Sequence, residues 1–190
     1  MAEEDDRMDR KSLFQMGLGY LGKMLAESVE KKLDLVPRTA HRPPGALVES
    51  LFLATCDGSA NCVRACPYEA IRLVDLPGIS TDRTPALTPT RVPCYLCIDV
   101  PCASACPSGA LSPIKKSEIK LGLAVVNQDA CFAWQGEPCA LCVQACPIGS
   151  AALVQVTGKG PRVIAEGCTG CGVCTNVCPS RPRAIRIKPQ

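Results

Sequence analysis

The hydrophobic positions of this chain follow a helical period only near its start. Residues 12–33 predict an amphipathic helix, because apolar side chains recur along one stripe at helical spacing. That stripe consists of Leu13, Met16, Tyr20, Met24 and Leu25. Residues 1–11 are charged and predict a disordered start, and the prolines of residues 34–44 predict a linker. We expect the helix to pack on the protein itself or on a subunit, with a membrane surface or an export signal as alternatives.

After residue 45 the apolar residues come instead in short β-prone stretches that recur four times. Each stretch follows a Cys-Pro pair and a turn, which indicates an internal repeat. The four are PYEAIRLV from Pro67, PSGALSPI from Pro107, PIGSAALVQV from Pro147 and PSRPRAIRI from Pro179. Two further strand-like segments, LAVV at 123–126 and RVI at 162–164, precede cysteine runs, and a proline-rich connector occupies 75–93. The pattern predicts an α+β chain of short elements joined by turns.

Cysteine runs precede all four stretches, and the last run has the C-x2-C-x2-C-x3-C-P spacing of bacterial ferredoxins. It consists of Cys168, Cys171, Cys174 and Cys178. The second and third runs keep the final C-x3-C-P and enlarge one earlier loop. They consist of Cys94, Cys97, Cys102 and Cys106, and of Cys131, Cys139, Cys142 and Cys146. The first three thiolates of such a run surround one iron–sulfur cluster, and the fourth ligates the partner cluster.

The first run departs from the repeat, because a serine stands where the second cysteine belongs. The run consists of Cys56, Ser59, Cys62 and Cys66, and the chain has 15 cysteines in all. A hydroxyl oxygen suits cluster iron less well than a thiolate does. Three outcomes stay open: a [3Fe-4S] cluster, a [4Fe-4S] cluster completed by serine, water or Asp57, or a site without a cluster. We expect three [4Fe-4S] clusters plus one [4Fe-4S] or [3Fe-4S] cluster at the Ser59 run.

Composition excludes several other classes of protein. Aromatic residues are only 4% of the chain, so cluster binding must supply folding energy that a larger core would otherwise provide. The odd cysteine count argues against disulfides, and runs ending in Cys-Pro differ from the paired C-x2-C of zinc sites. The formal charge of +3 leaves out the cluster thiolates, so it does not indicate nucleic-acid binding. We expect no nucleic-acid partner and no small-molecule substrate, because no motif for either occurs.

Three other features have simpler interpretations. His41 is the only histidine, and we expect it to be a surface residue of the linker. Trp134 lies in the enlarged loop of the third run and is expected to be a packing residue that shields a cluster. The basic C-terminal stretch is expected to be the solvated face of a strand, with partner docking as the alternative. It consists of Arg181, Arg183, Arg186 and Lys188.

Taken together, the motif strings resemble the MauM/NapG family of ferredoxin-type proteins. The resemblance covers about residues 42–188 and rests on RPPGAL at 42–47, PCYLCIDVPCASACPSGAL at 93–111, FAWQGEPCALCVQACP at 132–147 and GCTGCGVCTNVCP at 167–179. It implies a four-cluster electron-transfer protein. It also implies two kinds of partner, namely a membrane quinol-oxidising or other redox subunit and a downstream redox acceptor.

The start of the chain differs from that family, whose members commonly carry a twin-arginine export signal. This chain has Arg10-Lys11 instead, and charged residues interrupt the stretch that follows. We therefore expect a cytoplasmic location, peripheral to the membrane. Periplasmic export through a degenerate signal is the alternative.

These observations predict an α+β fold of two ferredoxin-like dicluster modules behind the N-terminal helix. The runs could pair in chain order or in a nested manner, the first with the fourth and the second with the third. We favour nesting, because the first and last runs have matching spacing and the four-cluster subunits of molybdoenzymes are nested. The domains are then residues 1–44, an outer module of 45–75 plus 160–190, and an inner module of 85–158.

The expected function is that of a non-catalytic electron-transfer subunit that passes single electrons through four clusters. Two rivals belong to other classes. One is a maturation factor for a partner redox enzyme. The other is a catalytic oxidoreductase that uses the incompletely ligated cluster at Ser59.

Overall fold

The computed structural model describes residues 40–76 and 83–189. The predicted helix at 12–33, the charged start and the degenerate export signal lie outside the described residues and stay predictions. None of the helices in the described part of the chain is long and apolar enough to cross a membrane.

Short helices alternate with short strands, as the repeats predict for a mixed α+β chain. The helices are α1 (Glu49–Thr55), α2 (Asn61–Ala65), α3 (Pro101–Ser104), α4 (Leu141–Gln144) and α5 (Val173–Val177). The strands are β1 (Ile71–Val74), β2 (Thr84–Leu87), β3 (Gly122–Val126), β4 (Leu153–Gln155), β5 (Pro161–Val163) and β6 (Ile185–Pro189). Single 3-10 turns lie at Lys116–Glu118, Gln128–Ala130 and Gly149–Ala151.

The helices α2 to α5 each lie within a cysteine run and end at or just before its Cys-Pro pair. Proline disfavours helical backbone angles at the residue before it, because its Cδ clashes with that residue's backbone. Cys66 and Cys178 accordingly have extended backbone angles, and each follows the last residue of its helix: φ is −77° and ψ 110° at Cys66. At Cys178 φ is −64° and ψ 122°. The Cys-Pro pair therefore both ends the helix and sends the chain into the turn that follows.

The strands form three antiparallel pairs, β1–β2, β4–β5 and β3–β6. The pairs β1–β2 and β4–β5 each join the end of one cysteine run to the start of the next. The pair β3–β6 joins the start of the third run to the end of the fourth, with Val126 opposite Ile185. A single bridge between Ala46 and Leu111 does the same for the first and second runs. The two halves of the chain therefore have the same pattern of antiparallel pairing between the segments that flank their cysteine runs.

One strand was not expected from the sequence. β2 lies inside the 75–93 stretch, which the sequence predicts only as a proline-rich connector. All four of its residues are buried, and Leu73 of β1 stands opposite Pro85. Proline cannot donate a ladder hydrogen bond, so local preference argued against a strand, and pairing with β1 outweighs it.

Two hydrophobic cores lie within the described residues, one in each half. The first is built around Phe52, Ile71, Leu111 and Ile119, and the second around Leu153 and Ile185. Buried cysteines belong to both cores, as expected of a chain with few aromatic residues.

Helix packing follows chain order. α2 contacts α3, and α4 contacts α5. The first run therefore lies beside the second and the third beside the fourth. This differs from the nested arrangement of 45–75 with 160–190 around 85–158. The physical reason is that β1 pairs antiparallel with β2, and β4 with β5, so the end of each pair's first run is held beside the start of its second.

Arg42 ties the segment before α1 to the first half of the fold. Its guanidinium forms a bidentate ion pair with Glu49 at 2.8 and 2.5 Å, and it lies 4.3 Å from the centre of the Phe52 ring. It also donates to the Thr84 hydroxyl at 2.9 Å and to the Pro85 carbonyl at 2.7 Å. Because Arg42 is buried, these partners offset the cost of removing its charge from water.

Candidate iron–sulfur sites

Four cysteines from two runs surround a cavity in the first half of the chain, which we call site 2. Its lining includes Cys94, Cys97 and Cys102 of the second run together with Cys66 of the first. The other lining residues are mainly apolar, and the atom-free volume is about 370 Å³. This is the ligand pattern of a paired-cluster ferredoxin, in which the Cys-Pro cysteine serves the neighbouring cluster.

Two cavities in the second half repeat this arrangement. Site 3 is lined by Cys131, Cys139, Cys142 and Cys178, and site 4 by Cys168, Cys171, Cys174 and Cys146. Their atom-free volumes are about 360 and 340 Å³, close to that of site 2. Three cavities of similar size with the same set of four thiols indicate one kind of occupant. In the described part of the chain, no three His, Cys, Asp or Glu side chains converge on a single ion position.

The remaining cysteines form site 1, which consists of Cys56, Cys62 and Cys106. Burial, followed by the charges of the nearby Cys56 and Cys106, raises the pKa of Cys62 to about 11. Cys106 ends the second run but belongs to site 1, and Cys66 ends the first run but lines site 2. Each run therefore contributes its Cys-Pro cysteine to the other run's site. Site 1 therefore has three thiols where the other sites have four.

Ser59, the residue at the missing corner, lies in a turn that its own neighbours close. Its N–H donates to Asp57 Oδ1 at 3.0 Å, and its carbonyl accepts from Arg64 at 2.9 Å. These contacts with Ser59 lower the pKa of Asp57, first through the backbone N–H and then through the hydroxyl. Asp57 is an exposed carboxylate one residue after Cys56.

Burial raises the pKa of thiols at all four sites. It is the largest cause at Cys94 and Cys142, which reach about 11, and at Cys102 and Cys174, which reach about 12. Thiolates are the ligand form, so the protons of these cysteines must leave when a cation binds. The sites thus suit a positively charged iron–sulfur core.

Backbone N–H groups donate to the sulfurs of several cysteines. Ala70 and Leu111 donate to Cys66 and Cys106, each at 3.4 Å. Ala124 donates to Cys168 Sγ at 3.5 Å. Such bonds stabilise thiolates and raise the reduction potential of a bound cluster.

Two serines near the sulfurs were missed from the sequence. The Ser180 hydroxyl lies 3.2 Å from Cys178 Sγ, and the Ser108 hydroxyl 3.6 Å from Cys106 Sγ. Burial would raise the pKa of both cysteines, but the hydroxyl and backbone hydrogen bonds outweigh it and lower the pKa. The available signal was the Cys-Pro-Ser string that ends the second and fourth runs, because the first and third end in Cys-Pro-Tyr and Cys-Pro-Ile.

Aromatic side chains lie beside two of the cavities. Trp134 is a packing residue as expected, but it packs on Gly160, and its indole N–H donates to the Pro161 carbonyl at 3.3 Å. Phe132, not Trp134, lines site 3. Tyr68 and Tyr95 line site 2 with ring centres 4.6 Å apart and ring planes tilted by 42°, and no sequence motif pointed to this pair.

The basic C-terminal stretch divides into two parts. Arg186 and Lys188 are exposed on β6 and alternate with more buried isoleucines, as expected for the solvated face of a strand. Arg183 instead donates to the carbonyls of Thr175, Asn176 and Thr90. That side chain therefore ties the second half of the chain to the first.

His41 is buried, which corrects the expectation of a surface histidine. It is 8% exposed, and its Nδ1 and Nε2 atoms have no hydrogen-bond partner of good geometry. Burial lowers its pKa to about 4, and the nearby Gly170 backbone only partly opposes this shift. The segment containing His41 is held down by Leu87, whose N–H donates to the His41 carbonyl at 2.7 Å. Tertiary packing, not linker composition, decides its exposure.

Acidification is expected to destabilise the protein through His41. The pKa is about 4 in the folded protein and about 6.5 in the unfolded chain, so the unfolded chain takes up the proton first as pH falls. Stability due to this group is therefore present above pH 6.5 and lost towards pH 4, by about 2 kcal/mol between pH 7 and pH 5. His41→Leu should flatten this part of the pH dependence of the denaturation midpoint. An equal slope in both proteins would contradict the assignment.

Comparison with known proteins agrees with this geometry. A family model described as a 4Fe-4S dicluster domain matches residues 55–110, which hold the first and second cysteine runs together. The chain is 38% identical over 185 residues to a methylamine utilization ferredoxin-type protein MauM of Paracoccus denitrificans, covering 92% of this chain and 83% of that relative. It is 39% identical over 161 residues to the ferredoxin-type protein NapG of Escherichia coli, covering 78% and 70%.

A more distant relative comes from an archaeon. The polyferredoxin-like subunit of an aliphatic sulfonate oxidoreductase from Pyrococcus furiosus is 34% identical over 134 residues, covering 65% of this chain and 66% of that subunit. The similarity to the bacterial proteins is higher and spans most of both chains. The chain therefore belongs to the MauM/NapG family of ferredoxin-type iron–sulfur electron-transfer proteins.

Proposed function

We propose that this chain is a four-site electron relay made of two dicluster modules, working as a subunit of a redox complex. The observation that carries the proposal is the set of three similar cavities, each lined by three thiols of one run and the Cys-Pro thiol of its neighbour. Bound iron–sulfur clusters would accept and release single electrons. Sites 1 and 2 form the first module and sites 3 and 4 the second, in place of the nested modules.

The protein's own residues have three tasks in such a relay. The cysteines hold the clusters, and the mainly apolar lining keeps water away from sites 2, 3 and 4. Backbone N–H groups and the hydroxyls of Ser108 and Ser180 stabilise the thiolates. Such contacts would raise the reduction potential of a bound cluster.

Site 1 is proposed to hold a cluster whose fourth iron is weakly bound. Its three thiols leave one corner to Ser59, whose hydroxyl is a poor ligand while it keeps its proton. Asp57 already accepts from Ser59, and the turn is solvent-accessible, so water can reach this corner. Loss of the iron would leave a [3Fe-4S] cluster at this site alone.

The proposed partners are a membrane quinol-oxidising or other redox subunit on one side and a redox acceptor on the other. The Pyrococcus furiosus relative supports the subunit role, because it is described as a polyferredoxin-like subunit of an oxidoreductase. The open corner at Ser59 is the feature that supports the alternative hypothesis, in which the protein is a catalytic oxidoreductase. A maturation factor has no such specific support in the described residues.

Anaerobic reconstitution tests this proposal. We expect about fifteen or sixteen irons per chain, together with reversible one-electron reductions and no turnover by the isolated protein. Iron near eight per chain would contradict the four-site relay. Substrate-dependent change in the EPR signal of site 1 would favour catalysis instead.

A further inference from the structure

One hydrogen bond joins ligand residues of different modules. The Cys94 N–H donates to the Cys171 carbonyl oxygen at 2.9 Å. Cys94 lines site 2 and Cys171 lines site 4. Both are buried, and Cys171 packs with Cys94 in the core of the first half, although it belongs to the second. Among the described residues, no other hydrogen bond connects cysteines of the two halves.

The backbones around this bond are in close contact. A Cβ atom added at Gly172 would stand 2.4 Å from Pro89 Cβ, so only glycine allows this approach. Leu121 donates to the Thr169 carbonyl at 2.8 Å, and Asn176 donates to the carbonyl of Arg91 at 2.9 Å. These contacts hold the Cys171 loop against the second run, so hydrogen bonds and close packing between the two halves set the spacing between sites 2 and 4.

We propose that electrons cross between the modules from site 2 to site 4 or in reverse, so that the relay runs site 1, site 2, site 4, site 3. This inference rests on the proposed four-site function. A bonded route leaves Cys94 through its backbone N–H, crosses the hydrogen bond, and reaches Cys171 through its carbonyl carbon. In each crossing one electron moves, the donor site is oxidised, the acceptor site is reduced, and no bond or proton changes place.

This order differs from the order of the runs along the chain. It makes sites 1 and 3 the two ends of the relay and puts sites 2 and 4 inside it. The ends are also the sites whose Cys-Pro cysteine has a serine hydroxyl beside it, Cys106 at site 1 and Cys178 at site 3. External partners would therefore exchange electrons next to the Ser59 turn and next to the third run.

Matched double variants of the second module test the order. Cys168→Ala with Cys174→Ala disables site 4, and Cys131→Ala with Cys142→Ala disables site 3, while site 2 keeps all four ligands in both. In the fully reduced protein we expect the cluster of site 2 to be spin-coupled to a cluster of the second module. This coupling should disappear only in the site 4 variant. The reduction potential of site 2 should rise in that variant alone, because a nearby negative cluster has been removed.

A second pair keeps all ligands, in case a double variant does not fold. Gly172→Ala should weaken the magnetic coupling between sites 2 and 4 at unchanged iron content, because its Cβ pushes against Pro89. Gly58→Ala is the control, since Gly58 also has a positive φ but nothing lies within 4 Å of an added Cβ. The order would be overturned if the coupling of site 2 disappeared in the site 3 variant and persisted in the site 4 variant. Equal coupling in the two glycine variants would also overturn it. Wild-type protein that fails to take up four clusters would instead overturn the proposed function.

Discussion

Replacing Cys178 by Ala is expected to alter or abolish the cluster signal of the third run and to leave that of the first run unchanged. Cys178 lines the same cavity as the first three cysteines of the third run. Its sulfur is also held by the Ser180 hydroxyl at 3.2 Å, which favours the thiolate form needed for iron. Iron should fall by at least about one per chain, because a corner without thiolate loses its iron first.

Two reference variants identify which EPR signal belongs to which run. Cys139→Ala marks the signal of the third run, and Cys56→Ala marks that of the first. Cys146→Ala is the matched control, because it removes the other Cys-Pro thiol of the second module and should alter only site 4. Loss of the first-run signal in Cys178→Ala would restore the nested pairing and contradict the modules proposed above.

Ser59→Cys is expected to add one iron per chain and to remove a [3Fe-4S]-type EPR signal from the air-oxidised protein. The substitution supplies a fourth thiol at site 1, where Cys56, Cys62 and Cys106 provide three. Thiolate binds cluster iron better than a hydroxyl, so the corner iron should be retained. The potential of site 1 should fall, since a thiolate adds negative charge beside the cluster.

Ser59→Ala provides the control for this change. It removes the hydroxyl without adding a thiol, so the oxidised signal and the iron content should stay as in the wild type. The other three sites should remain EPR-silent until reduced in all three proteins. If Ser59→Cys changes neither the iron content nor the spectrum, Ser59 does not occupy a cluster corner and the first run has been misaligned.

Much of the candidate site follows from the sequence because ligand spacing is a local property. The first three cysteines of a run lie close enough in the chain to wrap one cluster, and a proline after the last cysteine ends the helix there. The extended backbone at Cys66 and Cys178 agrees with that expectation. The strands at 71–74, 122–126 and 185–189 likewise lie where β-prone residues follow or precede the runs.

Pairing of the runs could not be read from their spacing. The first and last runs match each other in loop length, and that likeness favoured nesting, yet loop length says nothing about which strands bond. The β1–β2 and β4–β5 strand pairs determine which runs lie together. The sequence did not predict β2, because Pro85 argues against a strand there. Likewise, linker composition suggested an exposed His41, whereas packing near Gly170 buries it.

The sequence by itself determined the number of runs, the identity of their cysteines and the missing thiol at Ser59, because each depends only on residues close together in the chain. Tertiary structure alone decided which Cys-Pro thiol meets which run and which sites face each other across the two halves. The Cys94 and Cys171 backbones meet through a hydrogen bond between residues far apart in sequence. Such contacts arise from the packing of whole elements, which no local spacing specifies.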